Sequence, residues 1–324
     1  MNHLKFLRQL AHVLLAVLAF SAAAHAQVPD PETFNKTFAH RRARVDGVQL
    51  HYVIGGTGDP VVLLHGWLGT WYTWRKVMPL LAQHHTVIVP DVRGYGDSDK
   101  PDTGYDARTI GREIRTLVRQ LGFDRVFVVG HDMGALPALA YAAEFPDEVR
   151  GLVYMDEPLP GYNLQEFLTP TAQNRGGYWH FAFQGVRDLP ERLIEGRERD
   201  YLNFFFRLML LDQSKITEVD RTEYERTLAH PGGLRGSFGW YRSIWETSEQ
   251  FREWGAKGLS VPVLAARGEF GVPRVEEQMR LIAKDVRGAT IAGSGHLVPE
   301  EGAEKLASEL LSFFARAGSP PSGR

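Results

Sequence analysis

Short runs of consecutive apolar residues recur along the chain and predict buried strands. In the first half they cover residues 60–64, 86–89, 126–129 and 152–155. Ahead of them, residues 42–54 contain the turn pair Asp46-Gly47 between alternating apolar and polar positions, which predicts a β-hairpin. Continuous apolar strands are typical of a parallel sheet that is covered on both faces.

Helical periodicity separates several of these runs. Ile110, Ile114, Leu117 and Leu121 fall on one face of a helix, and Gly122 follows as its stop. An Ala-rich segment after residue 134 predicts a further helix. Strands that alternate with helices in this way predict an α/β fold with a mostly parallel, eight-stranded sheet.

The alternation stops after Glu157 and gives way to a segment rich in aromatic and arginine side chains. It resumes with a strand over 261–266, a helix over 275–286, a strand over 289–291 and a helix over 300–314. We therefore predict one sheet domain with a helical insertion between its sixth and seventh strands. The predicted divisions are a sheet domain in two parts, 27–157 and 246–316, a helical lid over 158–245, and a disordered tail over 317–324.

The first 26 residues have the pattern of a signal peptide. Lys5 and Arg8 precede a largely apolar stretch, and Ala24-His25-Ala26 fits the small-x-small cleavage rule. Cleavage would leave Gln27 first, so we expect an exported protein, periplasmic or secreted, without stable membrane insertion. The alternative is an uncleaved membrane anchor.

Composition excludes several classes of function. The 324 residues carry a net charge of −2, which gives no basic footprint for nucleic acid. The absence of cysteine excludes disulfides, thiol catalysis and cysteine metal sites. His84 and His85 have no carboxylate cluster at ligand spacing, so we expect neither a metal nor a cofactor.

The candidate catalytic residues lie where the predicted strands end. Ligands of open α/β sheets bind at the carboxyl ends of strands. Four such ends carry polar motifs: His65-Gly66-Trp67, Gly130-His131-Asp132-Met133-Gly134, Asp156-Glu157 and Gly293-Ser294-Gly295-His296. The second motif resembles the G-x-S-x-G nucleophile turn, with Asp132 in place of serine.

These motifs, in this chain order, resemble the epoxide hydrolase and haloalkane dehalogenase branch of the α/β-hydrolase superfamily. The run Asp91-Val92-Arg93-Gly94-Tyr95-Gly96-Asp97-Ser98-Asp99-Lys100-Pro101 and Trp240-Tyr241-Arg242 add to the likeness. Within the branch, the signal peptide, Gly69-Thr70-Trp71-Tyr72, Tyr178-Trp179-His180-Phe181 and Glu300-Glu301 are similar to the secreted Cif-type epoxide hydrolases. The resemblance implies an α/β-hydrolase fold with a helical lid.

A carboxylate nucleophile suits displacement at a saturated carbon, because it is ionised at neutral pH without help. Attack by Asp132 forms an ester, and water activated by His296 then attacks the side-chain carbonyl of that ester. We expect the backbone N–H groups of Trp67 and Met133 to form the oxyanion hole. The reaction expected is the opening of an epoxide to a vicinal diol.

A carboxylate must orient His296. The resemblance favours Asp156, at the end of the sixth strand. Glu157 is adjacent but should point the opposite way along a strand. Glu269, after the seventh strand, is the other alternative.

Ring opening also requires an acid. The resemblance places Tyr241 and His180 as the two lid donors, with Tyr178 as the fallback. The alternative for His180 is a core histidine in an aromatic lid. We place His65, Phe181 and Tyr178 in the substrate pocket.

Two other functions stay open. A haloalkane or haloacid dehalogenase uses the same nucleophile, but it usually carries Trp or Arg where this chain has Met133. A secreted binding scaffold with vestigial catalysis is the third interpretation. The aromatic lid predicts an apolar or aryl-bearing small-molecule epoxide. The residues leave the oligomeric state open, and only the resemblance implies a homodimer.

Overall fold

The computed structural model describes residues 31–162, 164–170 and 178–318. The predicted signal peptide and residues 319–324 of the predicted tail lie outside this part of the chain. The strands are β1 (Phe38–Val45), β2 (Val48–Gly55), β3 (Asp59–Leu64), β4 (His85–Pro90), β5 (Val126–His131), β6 (Val149–Met155), β7 (Val263–Gly268) and β8 (Val286–Ile291). They form one eight-stranded sheet in the order β1-β2-β4-β3-β5-β6-β7-β8.

The sheet confirms the predicted α/β fold. β1 and β2 form the predicted hairpin, and β2 pairs antiparallel with β4. At the hairpin turn Asp46 and Gly47 both have positive φ, which the tight turn requires and which this residue pair tolerates. All other strand pairs are parallel.

Helices cover both faces of the sheet. In the first half they are α1 (Pro31–Thr37), α2 (Met78–Leu81), α3 (Ala107–Gln120) and α4 (Ala135–Glu144). Helix α3 begins at the cap Asp106, whose side chain accepts the N–H of Thr109. Leu117 on α3 and Leu139 on α4 are buried in the core of one face, and Leu310 near the C-terminus is buried in the core of the other.

A run of helices separates β6 from β7. They are α5 (Leu164–Leu168), α6 (Trp179–Gly185), α7 (Leu189–Ile194), α8 (Glu198–Met209), α9 (Glu218–Ala229), α10 (Gly233–Arg242) and α11 (Ile244–Lys257). These helices stand where the sequence predicts a helical lid, and the predicted boundary at 245 falls within α11. We use the name lid for helices α5 to α10. None of the helices in the described ranges has the length and apolar character needed to cross a membrane.

The last helices are α12 (Val275–Met279), α13 (Val298–Glu301) and α14 (Ala303–Gly318). The helix predicted over 275–286 is too long, since α12 ends at Met279. The residues that follow α12 pair instead with the segment ahead of β7: Ala283 forms a parallel bridge with Leu259, and the N–H of Leu259 donates to the carbonyl of Ile282 at 2.7 Å. The strand predicted over 289–291 accordingly begins earlier, at Val286. The predicted helix over 300–314 is divided at Gly302, and α14 continues to Gly318, into the predicted tail.

Register places the ends of the central strands at one edge. Leu64 of β3 pairs with Gly130 of β5, and His131 of β5 pairs with Met155 of β6. Met155 pairs in turn with Ala266 of β7. The residues that follow these strands therefore meet beneath the lid.

Candidate active site

Asp132 sits on a sharp turn between β5 and α4, with a positive φ of 53°. A non-glycine residue in this region costs about 1–3 kcal/mol, and such strain is common at functional sites. The turn is close-packed: a Cβ on Gly130 would collide with the carbonyl of Gly134, and one on Gly134 would collide with the carbonyl of His65. The small residues of the motif thus allow the turn to hold Asp132 above the sheet edge.

Two backbone N–H groups hold the carboxylate of Asp132. The N–H of Trp67 donates to Oδ1 at 2.7 Å. The N–H of Met133 also donates to this carboxylate, which lowers its pKa. Gly66 lies so close that a Cβ there would collide with the Asp132 side chain. Both predicted oxyanion-hole donors, the N–H groups of Trp67 and Met133, therefore converge on the carboxylate of Asp132.

His296 reaches the same carboxylate from the loop after β8. Its Nε2 lies 2.9 Å from Oδ2 of Asp132. The loop is fixed on both sides, since the N–H of His296 donates to the carbonyl of Met209 on α8 and its own carbonyl accepts Nε2–H of His131 at 2.8 Å. His131 is therefore a support for the loop that carries the imidazole.

Asp156 lies on the other side of the imidazole. Its Oδ1 is 3.0 Å from Nδ1 of His296 and accepts the N–H of Val272 at 2.6 Å. Its Oδ2 accepts the N–H of Gly268 at 2.5 Å. Asp156 is fully buried and has a φ of 56°. The N–H groups of Gly268 and Val272 fix its carboxylate in the orientation that faces His296.

The two alternative acids lie elsewhere. The carboxylate of Glu269 accepts the N–H of Gly293 at 2.8 Å. Glu157 is buried, and it lines the cavity that contains Asp132. The structure thus brings Asp156, and neither alternative, into hydrogen-bond contact with His296.

The charges of this group are coupled. Burial alone would raise the pKa of Asp132, but the hydrogen bond and charge of His296 hold that pKa below its ordinary value. Burial alone would lower the pKa of His296, yet Asp132 and Asp156 hold it well above its ordinary value. Both directions favour an ionised carboxylate beside a protonated imidazole in the resting site.

His180 and Tyr241 belong to the lid, on α6 and α10. The indole of Trp67 contacts both, with ring centroids 6.0 Å from His180 and 5.9 Å from Tyr241. Burial lowers the pKa of His180 to about 4. Burial, followed by the charge of Asp132, raises the pKa of Tyr241 well above its ordinary value. At neutral pH both are uncharged hydrogen-bond donors.

A cavity of about 700 Å³ opens onto the nucleophile. It contains the predicted pocket residues Tyr178 and Phe181, together with Asp132, His180 and His296. Further walls come from residues that the sequence analysis did not select, because no motif marks them: Phe167, Leu208, Met209, Phe270, Val272 and Pro273. The lining is predominantly apolar.

The placement of His65 in the substrate pocket is wrong. His65 is fully buried and is not among the residues that line the cavity. Its Nδ1 donates to the carbonyl of Gly66 at 2.9 Å, and its Nε2 accepts the N–H of Val92 at 3.2 Å. Both ring nitrogens are therefore used to hold the loops behind the oxyanion hole.

One group of side chains in the described ranges has the spacing of a metal site: His51, Asp91 and Asp97. Oδ2 of Asp91 lies 2.8 Å from Nδ1 of His51 and accepts the N–H of Asp97, while Oδ1 accepts the N–H of Trp71. Because these oxygens already bind protein donors, the group serves to fix the loop after β4. That the activity needs no metal or cofactor stays a prediction.

Comparison with known proteins supports the same chemistry. A family profile described as the alpha/beta hydrolase fold matches residues 59–303. The soluble epoxide hydrolase of Corynebacterium sp. (strain C12) is 37% identical over 282 residues, which cover 85% of this chain and 97% of that protein. The fluoroacetate dehalogenase of Burkholderia sp. is 30% identical over 296 residues, which cover 87% and 95%.

Solved structures include a chain of similar fold. The crystal structure of an aCif variant superimposes with a TM-score of 0.82 at 26% identity, and the match covers 86% of this chain and 89% of that one. This likeness agrees with the Cif-type resemblance that the sequence motifs indicate.

Proposed function

Because the chain belongs to the alpha/beta hydrolase family, in its epoxide hydrolase branch, we propose that it opens epoxides to vicinal diols through an ester on Asp132. One observation carries this mechanism. The carboxylate of Asp132 has Oδ1 on the N–H of Trp67 and Oδ2 on the imidazole of His296. The two oxygens are thus held in different environments and take different parts in the reaction.

Oδ2 is the attacking oxygen. It faces His296 and the cavity, whereas Oδ1 is held in the oxyanion hole. Attack forms the bond from Oδ2 to one oxirane carbon and breaks the bond from that carbon to the epoxide oxygen. The oxygen takes the phenolic proton of Tyr241, and the neutral imidazole of His180 donates a hydrogen bond to it.

Esterification prepares the second step. It removes the negative charge of Asp132, one of the two carboxylates that raise the pKa of His296. That pKa then falls, and the proton that the imidazolium releases restores the phenol of Tyr241. The neutral ring then accepts a proton from water. Water attacks Cγ of Asp132, and the charge that develops on Oδ1 is stabilised by the N–H groups of Trp67 and Met133, each worth about 2.7–4 kcal/mol in comparable sites.

The tetrahedral intermediate collapses by breaking the bond from Cγ to Oδ2. Oδ2 leaves with the diol, which takes the proton from His296, and the oxygen from water stays on Asp132. The remaining proton of that water passes from the Asp132 carboxyl group to His296 and restores the resting pair. Asp156 keeps Nδ1–H of the imidazole directed away from the ester during both transfers.

The substrate is an apolar or aryl-bearing epoxide. This proposal is supported by the aromatic cavity walls Phe167, Tyr178, Phe181 and Phe270.

Dehalogenation is the second candidate, since the fluoroacetate dehalogenase is a relative. A halide leaves as an anion and is stabilised by N–H donors, and a haloacid needs a cation for its carboxylate. This chain has Met133 after the nucleophile, and the lid offers the O–H of Tyr241, which suits an epoxide oxygen. The geometry therefore favours the epoxide.

Trapping tests the proposal. His296→Ala mixed with styrene oxide should gain the mass of the substrate on the peptide that contains Asp132, because the ester forms but is not hydrolysed. The double variant with Asp132→Asn is the control and should stay unmodified. An unmodified Asp132 peptide in the single variant, under conditions where the epoxide binds, would contradict the mechanism and favour a binding scaffold. Release of halide from haloalkanes or fluoroacetate without diol formation from epoxides would favour the dehalogenase.

We also propose that the protein is exported to the periplasm or beyond and forms a homodimer. The N-terminal pattern supports export, and the family resemblance alone supports the dimer. Cell fractionation with N-terminal sequencing tests the first, with Gln27 as the expected first residue. Light scattering of the purified protein tests the second.

A further inference from the structure

Glu157 is a buried carboxyl group in the wall of the active-site cavity. It follows Asp156, and its side chain lines the same cavity as Asp132. Glu157 is 2% exposed, and its Oε1 has no hydrogen-bond partner within the ranges that the structure describes. A buried polar group that lacks a partner is unfavourable, so this carboxyl group is suited to a partner that enters with the substrate.

The surroundings of Glu157 favour its uncharged form. Burial, followed by the negative charge of Asp132, raises the pKa of Glu157 well above its ordinary value. The charge of Asp156 acts in the same direction, and His296 opposes it. A neutral carboxyl group offers one O–H donor as well as a carbonyl acceptor.

The other charges of the cavity define which substituent this donor can bind. Arg274 also lines the cavity, but its Nη2 lies 2.7 Å from Oε2 of Glu166. Its charge is therefore already paired. A carboxylate on the substrate would stand near the ionised Asp132, while the cations of the lining, Arg274 and His296, already pair with carboxylates of the protein. A ketone or ether oxygen would instead accept a hydrogen bond from Glu157 without bringing a charge.

We propose that Glu157 is a specificity-determining residue whose carboxyl group donates a hydrogen bond to a neutral acceptor oxygen on the non-reacting part of the epoxide substrate. This inference rests on the proposed function, because it assigns a second contact in the same cavity. The substrate class is thereby narrowed to epoxides with an apolar body and one carbonyl or ether oxygen. Carboxylate-bearing epoxides are disfavoured by charge.

The test uses three terminal epoxides of equal chain length, whose far end is a methyl group, a methyl ketone or a carboxylate. For the wild type we expect kcat/KM to be highest for the ketone and lowest for the carboxylate. Glu157→Met should lose roughly tenfold in kcat/KM for the ketone, mainly through KM, because one hydrogen bond is removed. The loss with the methyl-ended epoxide, which offers no acceptor to Glu157, should be much smaller.

Two further variants separate this contact from a structural effect. Glu157→Gln keeps an N–H donor at the same place and should keep the preference for the ketone. Glu166→Gln changes the other glutamate of the cavity and should leave the preference for the ketone over the methyl-ended epoxide unchanged. A similar loss with the methyl-ended and ketone substrates in Glu157→Met, or loss of the preference in Glu157→Gln, would overturn the inference.

The outcome also distinguishes this inference from the proposed function. A wild type that forms diol from the methyl-ended epoxide but does not prefer the ketone contradicts the role of Glu157 alone. A wild type that forms no diol from any of the three contradicts the proposed function and, with it, the role of Glu157.

Discussion

The rings of His180 and Tyr241 lie with their centroids 5.8 Å apart and their planes at 73°. They come from different lid helices, and both contact Trp67, whose backbone N–H holds Oδ1 of Asp132. The lid thus holds two uncharged donors against the side chain of Trp67, the residue whose backbone N–H contacts the nucleophile. The epoxide oxygen, once displaced by Asp132, would lie between them and the carboxylate.

Tyr241→Phe should slow ester formation far more than ester hydrolysis. The phenolic proton is needed when the ring opens and has no part when water attacks Cγ of Asp132. A general acid of this kind is typically worth about 10²–10⁴-fold in rate. Stopped-flow measurement of a single turnover resolves the two steps. Equal slowing of both would remove Tyr241 from the acid role and leave it as packing.

Asp156→Asn should slow hydrolysis of the ester, so that the Asp132 adduct accumulates during turnover. The amide is uncharged, so it stabilises the imidazolium of His296 less well and offers it a different hydrogen-bond partner. We expect a loss of at least about 10²-fold in the second step. Rapid quenching and mass measurement of the Asp132 peptide follow the adduct.

Glu269→Gln is the matched control, because this carboxylate binds the N–H of Gly293. It should leave both steps unchanged. If Glu269→Gln and Asp156→Asn were equally slow in the second step, Asp156 would not be the orienting acid.

The meeting of the catalytic side chains could be predicted, because it depends only on the direction of the strands that carry them. Parallel strands end at the same edge of a sheet, so Asp132, Asp156 and the loop that carries His296 were expected to meet there. The turn at Gly130–Gly134 and the hairpin turn at Asp46-Gly47 could be predicted for a related reason. Their backbone conformations restrict the residues that can occupy them.

Other features depend on packing between segments that are distant in sequence. His65 belongs to a recognised motif, yet only the fold shows that both its ring nitrogens bind backbone groups. Leu281 and Ile282 continue the helical spacing of α12, and the pairing of Leu259 beside them is what ends the helix. The spacing of apolar residues carries no information about such partners.

Folding stability should decrease as the pH falls from 6.5 to 4, in part because of His180. The pKa of this histidine is lowered by burial to about 4 from an ordinary value of 6.5. In this window the unfolded chain binds a proton at His180 while the folded protein does not, so the contribution of His180 is fully present above pH 6.5 and lost as the pH falls. The difference between these two pKa values of His180 corresponds to a loss of about 3 kcal/mol in the free energy of unfolding at most.

His180→Phe should therefore flatten this part of the stability profile, which urea denaturation at several pH values measures. The exposed His230 offers the control, since His230→Phe should leave the slope as it is in the wild type. An unchanged slope in His180→Phe would show that the folded protein binds the proton at His180 as readily as the unfolded chain does.

Arg75 joins the lid to the sheet domain, and Arg75→Met should destabilise the fold. Its guanidinium forms an ion pair with Asp220 of α9 at 2.6 Å and another with Glu300 of α13. All three side chains are buried. Removal of the Arg75 cation leaves Glu300 with Lys76 and takes away the ion-pair partner of the buried Asp220, at a cost of about 3–5 kcal/mol. Urea denaturation measures the loss.

Arg235→Met is the matched control. Arg235 also pairs with two carboxylates, those of Asp102 and Asp188, but these pairs are exposed and are screened by solvent. It should therefore leave the denaturation midpoint nearly unchanged. Similar midpoints for Arg75→Met and Arg235→Met would show that the buried ion pairs of Arg75 contribute no more to stability than surface pairs do.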